Sequence, residues 1–128
     1  MLLDTTFLVD LQRELRQRRT GPAGALLAGQ ADSDMSIAFV TWMEFAEGYA
    51  DDERVHCERF LSGFRLLWPD TETAWLAARV SRVLRHAGSP IGDHDLWIAA
   101  LGLQHQETVV SRNERHFRRV PGLGLTVY

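Results

Sequence analysis

Lysine is absent from this chain of 128 residues, and all 14 of its basic residues are arginines. Sites that need a lysine amine, such as phosphate-binding P-loops, Schiff-base enzymes and receiver domains, are therefore excluded. Arginine is suited instead to planar, bidentate contacts with phosphate groups. The net charge of -3 argues against holding nucleic acid by bulk electrostatic attraction, so any such contact needs a local basic patch or a bound metal ion.

The chain also has little cysteine and no long apolar run. Cys57 is its only cysteine, so no internal disulfide can form, and a reducing cytoplasm is the expected compartment. No segment is apolar over the length of a bilayer, and no basic region precedes an apolar segment at the N-terminus, so neither a membrane span nor a secretory signal is expected. The length predicts one domain covering residues 1–128.

Short apolar runs alternate with helical patterns along the sequence. The runs predict strands at 1–3, 35–40, 66–68, 108–111 and 123–127, with the first opening directly into a helix at Asp4. Apolar periodicity predicts further helices at 23–30, 42–49, 51–64, 71–87 and 93–103, and residues 31–34 are predicted as a loop. This alternation indicates an α/β fold with a parallel sheet covered on both faces.

Four polar side chains each lie just beyond or beside one of these apolar runs. They are Asp4, Glu44, Asp95 at the start of a helix, and Asn113. The carboxyl ends of parallel strands share one edge of the sheet, so the four are expected to converge there. Carboxylates gathered in one place repel each other unless a cation lies between them, which predicts a divalent-metal site. Taken singly, each acid is also explained as a favourable charge near a helix N-terminus.

The predicted ligands are all oxygens, with no histidine or cysteine set at zinc spacing, so Mg²⁺ or Mn²⁺ fits best. Such an ion can acidify a water molecule and neutralise phosphate oxygens. The chemistry that suits this site is hydrolysis of a phosphodiester bond, with no protein nucleophile required.

Four segments carry a resemblance to a known family. MLLDTTFLVDL at the N-terminus, VTWMEFAEG from Val40, IGDHDLWIAALGL from Ile91 and TVVSRNERHFRRVPGLGLTVY at the C-terminus resemble the PIN-domain ribonucleases. The similarity is greatest to VapC-type toxins of prokaryotic toxin–antitoxin pairs, and it runs in order from end to end. It implies a three-layer α/β/α fold, Mg²⁺- or Mn²⁺-dependent endoribonuclease activity on RNA, homodimerisation, and inhibition by a cognate antitoxin bound near the active site.

The resemblance also implies roles for individual residues. The first acid of the family corresponds to Asp4, its helical glutamate to Glu44, and the acid before the Ile-Ala-Ala segment to Asp95, which together would hold the metal. Asn113 occupies the fourth catalytic position, where many relatives carry an acid. Ser111 stands where threonine is commoner, and keeps the hydroxyl. Thr6 stands where asparagine or serine is common, and would orient Asp4 or bind a metal water.

Other side chains near the predicted site have competing interpretations. Arg112 and Arg115, with Thr6 and Ser111, are candidates for substrate binding, although a solvated charged face that includes Arg118, Arg119 and Glu114 is equally expected. Asp93 is predicted to be a helix N-cap rather than a ligand. A surface or capping role is favoured for His94, and packing beside Phe117 for His116. Of the four tryptophans, Trp42 is the candidate for stacking on a base.

Two other functions compete with the nuclease. A non-catalytic PIN-fold module could bind a partner protein or RNA without turnover, and the asparagine at position 113 leaves that alternative open. A phosphoaspartyl enzyme with Asp4 as nucleophile is disfavoured, because Leu3-Asp4-Thr5-Thr6 lacks the second acid such phosphatases need. The active site of such phosphatases also needs a lysine, and this chain has none.

Overall fold

Within the described residues, 1–30 and 33–128, the computed structural model has five strands in one sheet. Ala31 and Asp32, in the predicted loop, lie outside these residues. The order across the sheet is β3-β2-β1-β4-β5, and every neighbouring pair is parallel. The predicted α/β architecture with a parallel sheet is therefore confirmed. The strands are β1 Leu2–Leu3, β2 Ser36–Ala38, β3 Arg65–Leu67, β4 Val109–Val110 and β5 Leu125–Thr126.

Helices connect the strands and cover both faces of the sheet. The helices are α1 Thr5–Arg16, α2 Pro22–Gly29, α3 Phe39–Ala46, α4 Arg54–Leu61, α5 Thr71–His86, α6 Asp93–His105 and α7 Glu114–Phe117, with a 3₁₀ turn at Asp51–Glu53 before α4. Across the same residues, none of the helices has the length and apolar character that crossing a bilayer would demand.

Alternation along the strands divides the core into two layers. Leu2 and Val109 pack with α5, α6 and α7 on one face, whereas Leu3 and Val110 pack with α1 to α4 on the other. Successive side chains of a strand point to opposite faces, and here both directions are apolar because helices cover both sides. The result is the three-layer α/β/α arrangement that the resemblance implied.

The helix after β2 begins earlier than predicted. The strand ends at Ala38, which is the N-cap residue of α3, so Thr41 lies inside the helix. Thr41 is fully buried, and its hydroxyl has no hydrogen-bond partner within the described part of the chain. The β-branched and aromatic residues 39–41 favour a strand by propensity, but packing against the sheet decides for a helix.

Two apolar residues of the predicted helices face solvent. Val55 of α4 is 61% exposed and Val83 of α5 is 44% exposed. Both positions fit a helical apolar stripe, yet each lies at the edge of its buried face. The short helix α7 was not predicted, because four residues are too few to show a period.

One close approach fixes how α6 sits on the sheet. A Cβ added at Gly102 would lie 2.9 Å from Leu123 Cδ1 and 3.2 Å from Val109 Cγ2. Glycine therefore allows α6 to contact β4 and the following segment more closely than any other residue would.

Candidate active site

The predicted site residues lie at the carboxyl edge of the sheet. Asp4 directly follows β1 and Ser111 directly follows β4, and these strands are neighbours with Leu3 paired to Val110. Asp95 lies in the first turn of α6, and Asn113 is the N-cap residue of α7. Three segments that are distant in sequence thus meet at one edge.

Asp4 is a buried carboxylate held by three donors. Its side chain caps α1 by accepting from the Phe7 N–H at 2.9 Å, and the Thr6 hydroxyl lies 2.8 and 2.9 Å from its two oxygens. The Ser111 hydroxyl donates to Oδ2. Each oxygen of Asp4 therefore lies within hydrogen-bond distance of two donors, and the single hydrogen of the Thr6 hydroxyl is shared between the two oxygens.

Burial raises the pKa of Asp4 above its ordinary value, even though the hydrogen bonds from Ser111, Phe7 and Thr6 act to lower it. The charge of Asp95 raises this pKa further, which places the two carboxylates close enough to repel. Within the described residues, no arginine, histidine or N-terminal amine forms a salt bridge with Asp4. A carboxylate in this position is stabilised by a nearby cation.

Asp95 is held through one oxygen only. Oδ2 lies 3.0 Å from Asn113 Nδ2 and 2.6 Å from His116 Nδ1. Asn113 is fixed in turn, because its backbone N–H donates to the Ser111 hydroxyl at 2.8 Å. Ser111 and Asn113 therefore link the two acids into one hydrogen-bonded network.

Glu44 is bonded to a separate pair of residues. The Thr5 hydroxyl donates to one carboxylate oxygen, and His94 Nδ1 contacts the other. The Glu44 side chain is 27% exposed. Within the described residues, no three histidine, cysteine, aspartate or glutamate side chains lie close enough together to hold a metal ion. Asp4 and Asp95 are connected through Ser111 and Asn113, whereas the third predicted ligand, Glu44, is paired with His94 and does not join them in this arrangement.

The arginines beside the site are mostly engaged with protein groups. Arg112 pairs with Asp10 at 2.6 Å and lies over the Tyr128 ring, and Arg118 pairs with Glu114. Arg119 bonds to the carbonyls of Ser89 and Pro90. Arg115 is exposed. The solvated and paired interpretation therefore describes most of this cluster.

The contact of His116 was predicted wrongly, whereas His94 is exposed as predicted and has a partner that the sequence did not indicate. His116 was predicted to pack beside Phe117, but it contacts Asp95. His94 points away from neighbouring Asp95, as expected for adjacent helical residues, and reaches Glu44 on α3. Asp93 is exposed and is not the N-cap of α6, a position held by Gly92. The only signal for His116 was its spacing of three from Asn113, which requires knowing that α7 exists.

The donor set fits a hard divalent cation. The site offers the carboxylate of Asp4 and Oδ1 of Asp95, which accepts no hydrogen bond within the described residues. Both supply carboxylate oxygens, which Mg²⁺ and Mn²⁺ prefer. Their mutual repulsion would be relieved by an ion between them.

Comparison with known proteins gives a consistent family. The model of the PIN domain family matches residues 1–123. The chain is 26% identical to the ribonuclease VapC1 of Methanocaldococcus jannaschii over all of its length and 86% of that protein. It is 33% identical to the tRNA(fMet)-specific endonuclease VapC of Salmonella typhimurium over 96 residues, which are 71% of this chain and 73% of the relative.

Solved structures share the fold. The VapBC2 complex of Rickettsia felis, bound to a promoter DNA fragment, has a chain that matches with a TM-score of 0.83 at 21% identity, covering 99% of this chain and 97% of that one. A chain of the DNA-bound VapBC complex of Salmonella typhimurium matches with a TM-score of 0.74 at 27% identity, covering 98% and 96%.

Proposed function

This chain belongs to the PIN domain family, and on that premise we propose that it is an Mg²⁺- or Mn²⁺-dependent endoribonuclease acting as the toxin of a toxin–antitoxin pair. The observation that carries the proposal is the pair Asp4 and Asp95, linked through Ser111 and Asn113 at one sheet edge, where the charge of Asp95 acts to raise the pKa of Asp4. Relatives named as ribonucleases match the chain over most of its length.

Asp4 and Asp95 would hold the ion, with Glu44 as a third ligand once released from His94. When bound, such an ion neutralises phosphate charge and lowers the pKa of a water molecule. The residues of the chain contribute orientation. Ser111 and Thr6 donate to Asp4 and fix its carboxylate, while Asn113 fixes Asp95. Preorganised groups of this kind need no rearrangement during the reaction.

A cognate antitoxin is the proposed protein partner. The relatives of known structure are complexes named VapBC. In this chain, a cavity of about 480 Å³ lined by Trp42 and Cys57 adjoins one of about 470 Å³ lined by Leu15 and Phe60, and Tyr49 lines both. This partner groove, lined by α1, α3, the 3₁₀ turn and α4, combines these apolar side chains with charged ones such as Arg16, Arg54 and Glu58, a mixture that suits an amphipathic helix. Because α3 also carries Glu44, a segment bound in the groove would lie near the proposed active site.

The decisive experiment is RNA cleavage by the purified protein with Mg²⁺ or Mn²⁺, compared with EDTA. Asp4→Asn is the inactive variant, and Asp52→Asn, at an exposed acid away from the site, is the matched control. We expect cleavage only with metal, its loss in Asp4→Asn, and full activity in Asp52→Asn. Cleavage that persisted in Asp4→Asn would reject the site. Tight antitoxin binding with no cleavage of any RNA pool would favour the non-catalytic binding module.

A further inference from the structure

Two donors converge on the same oxygen of Asp95. Asn113 Nδ2 is 3.0 Å and His116 Nδ1 is 2.6 Å from Oδ2, whereas Oδ1 accepts no hydrogen bond from the described part of the chain. The Asp95 side chain is 22% exposed, so Oδ1 can be reached from outside. One oxygen is thus anchored and the other is open.

We propose that His116 is a positioning residue, whose Nδ1–H anchors Oδ2 of Asp95 and thereby keeps Oδ1 directed to the metal ion. This inference rests on the proposed function, because it assigns His116 a part in building that same site. A donor that holds a ligating carboxylate from behind fixes its orientation and strengthens metal binding.

The contact distance determines which ring nitrogen carries the proton. A separation of 2.6 Å between nitrogen and a carboxylate oxygen is that of a strong hydrogen bond, whereas two acceptors at this distance would repel. Nδ1 is therefore the donor. The 2.9 Å approach of Asn113 Nδ2 to His116 Nδ1 then follows from two N–H groups sharing one acceptor.

The local fold holds His116 in this position. Its neighbour Phe117 is fully buried in the core on the α6 side of the sheet. The His116 backbone N–H donates to the Asn113 carbonyl at 3.2 Å, which closes the turn that carries both donors. The two donors to Asp95 therefore lie in one turn, and the residue that follows His116 is anchored in the core.

The test compares three substitutions at position 116 by titrating the purified protein with Mn²⁺ alone, in the absence of RNA. Asparagine places an amide N–H near the former Nδ1, glutamine places one nearer the former Nε2, and leucine supplies no donor. His86→Asn, on an exposed residue of α5, is the control. We expect His116→Leu and His116→Gln to weaken Mn²⁺ binding by about 10-fold or more. His116→Asn should recover most of the affinity.

Each outcome decides the inference. Equal Mn²⁺ affinity in wild type and His116→Gln, or His116→Asn as weak as His116→Gln, would overturn it. The comparison of these two polar variants holds even if His116→Leu fails to fold, as judged by circular dichroism in EDTA. A wild-type protein that binds Mn²⁺ but cleaves no RNA would reject the proposed function, while the titration would still decide the role of His116.

Discussion

The Ser111 hydroxyl donates to Asp4 across 107 residues of sequence and accepts from the Asn113 N–H at 2.8 Å. One buried side chain therefore connects the end of β1, the end of β4 and the start of α7. The hydroxyl also acts to lower the pKa of Asp4 and so favours its charged form. Ser111 is thus buried and supports the acids through hydrogen bonds.

Ser111→Ala should reduce both stability and activity. It removes a donor from buried Asp4 and leaves the Asn113 N–H without its acceptor, which costs about 1–3 kcal/mol of unfolding free energy. Ser62→Ala, at an exposed serine of the α4 C-cap, is the control. Urea unfolding and RNA cleavage check the prediction. Unchanged unfolding free energy in Ser111→Ala would contradict it.

Asp4→Asn should abolish cleavage, by at least about 100-fold, while stabilising the fold at neutral pH. Burial raises the folded-state pKa of Asp4 above its unfolded value. The wild type therefore loses stability as pH rises from about 4 through that raised pKa, because ionisation is disfavoured in the folded protein. Asparagine still caps α1 and has no charge to bury.

Urea unfolding of both proteins across that pH range measures the difference. The stability advantage of Asp4→Asn should grow as pH rises and then level off. A variant less stable than wild type at neutral pH would show that Asp4 has a stabilising partner instead.

Much of this site was predictable, because the placement of acids after strands depends only on chain direction and topology. Asp4, Asp95 and Asn113 lie at the predicted edge. The side-chain partners were not predictable. His116 and His94 depend on the turn of α7 and on the approach of α3 to α6, which arise from packing between segments far apart in sequence. The sequence around a histidine therefore does not indicate which side chain from another segment it will contact.

Glu14→Gln should destabilise the connection between α1 and α2. Burial pushes the pKa of Glu14 up, but the backbone N–H groups of Gly24, Gly21 and Ala23, with the charge of Arg19, lower it overall. The donors lie 2.8, 3.0 and 3.2 Å from its oxygens. Hydrogen bonds to a charged group contribute about 1.5–3 kcal/mol, so a loss of that order is expected at neutral pH.

The effect of Glu14→Gln should depend on pH in a defined direction. A lowered folded-state pKa gives stability that is present above the unfolded pKa, about 4.3, and is lost as pH falls through the folded value. The difference from wild type should therefore shrink in acid. Glu53→Gln, at an exposed acid with one backbone donor, is the control. A pH-independent difference would contradict this account.

Leu15→Glu should prevent antitoxin binding without loss of nuclease activity. Leu15 is 61% exposed in the partner groove, so a charge there is tolerated by the free protein but opposed by an apolar helix. Co-purification with the antitoxin measures binding. The control is Val127→Glu, at an exposed residue outside the groove. Equal co-purification of Leu15→Glu would exclude the groove.

Trp75→Glu should convert the homodimer that the family resemblance implies to monomers. Trp75 is 63% exposed on α5, where Val83 is also exposed, and Trp68 is 68% exposed just before this helix. In a two-fold dimer the same patch of both subunits forms the interface, so one substitution per chain introduces two charges there. Light scattering after gel filtration gives the mass, with Val55→Glu on α4 as control. A dimer that survived Trp75→Glu would place its interface elsewhere.

The lack of a side chain at Gly102 affects the position of Asp95, which lies about two helical turns away on α6. Since α6 is one rigid rod from Asp93 to His105, its seating against Val109 also determines how far Asp95 stands from Asp4. A bulkier residue there would tilt the rod and alter the gap between two negative charges. The separation of Asp4 and Asp95 therefore depends on a glycine in the hydrophobic core, because the absence of a Cβ at Gly102 lets α6 lie close to β4.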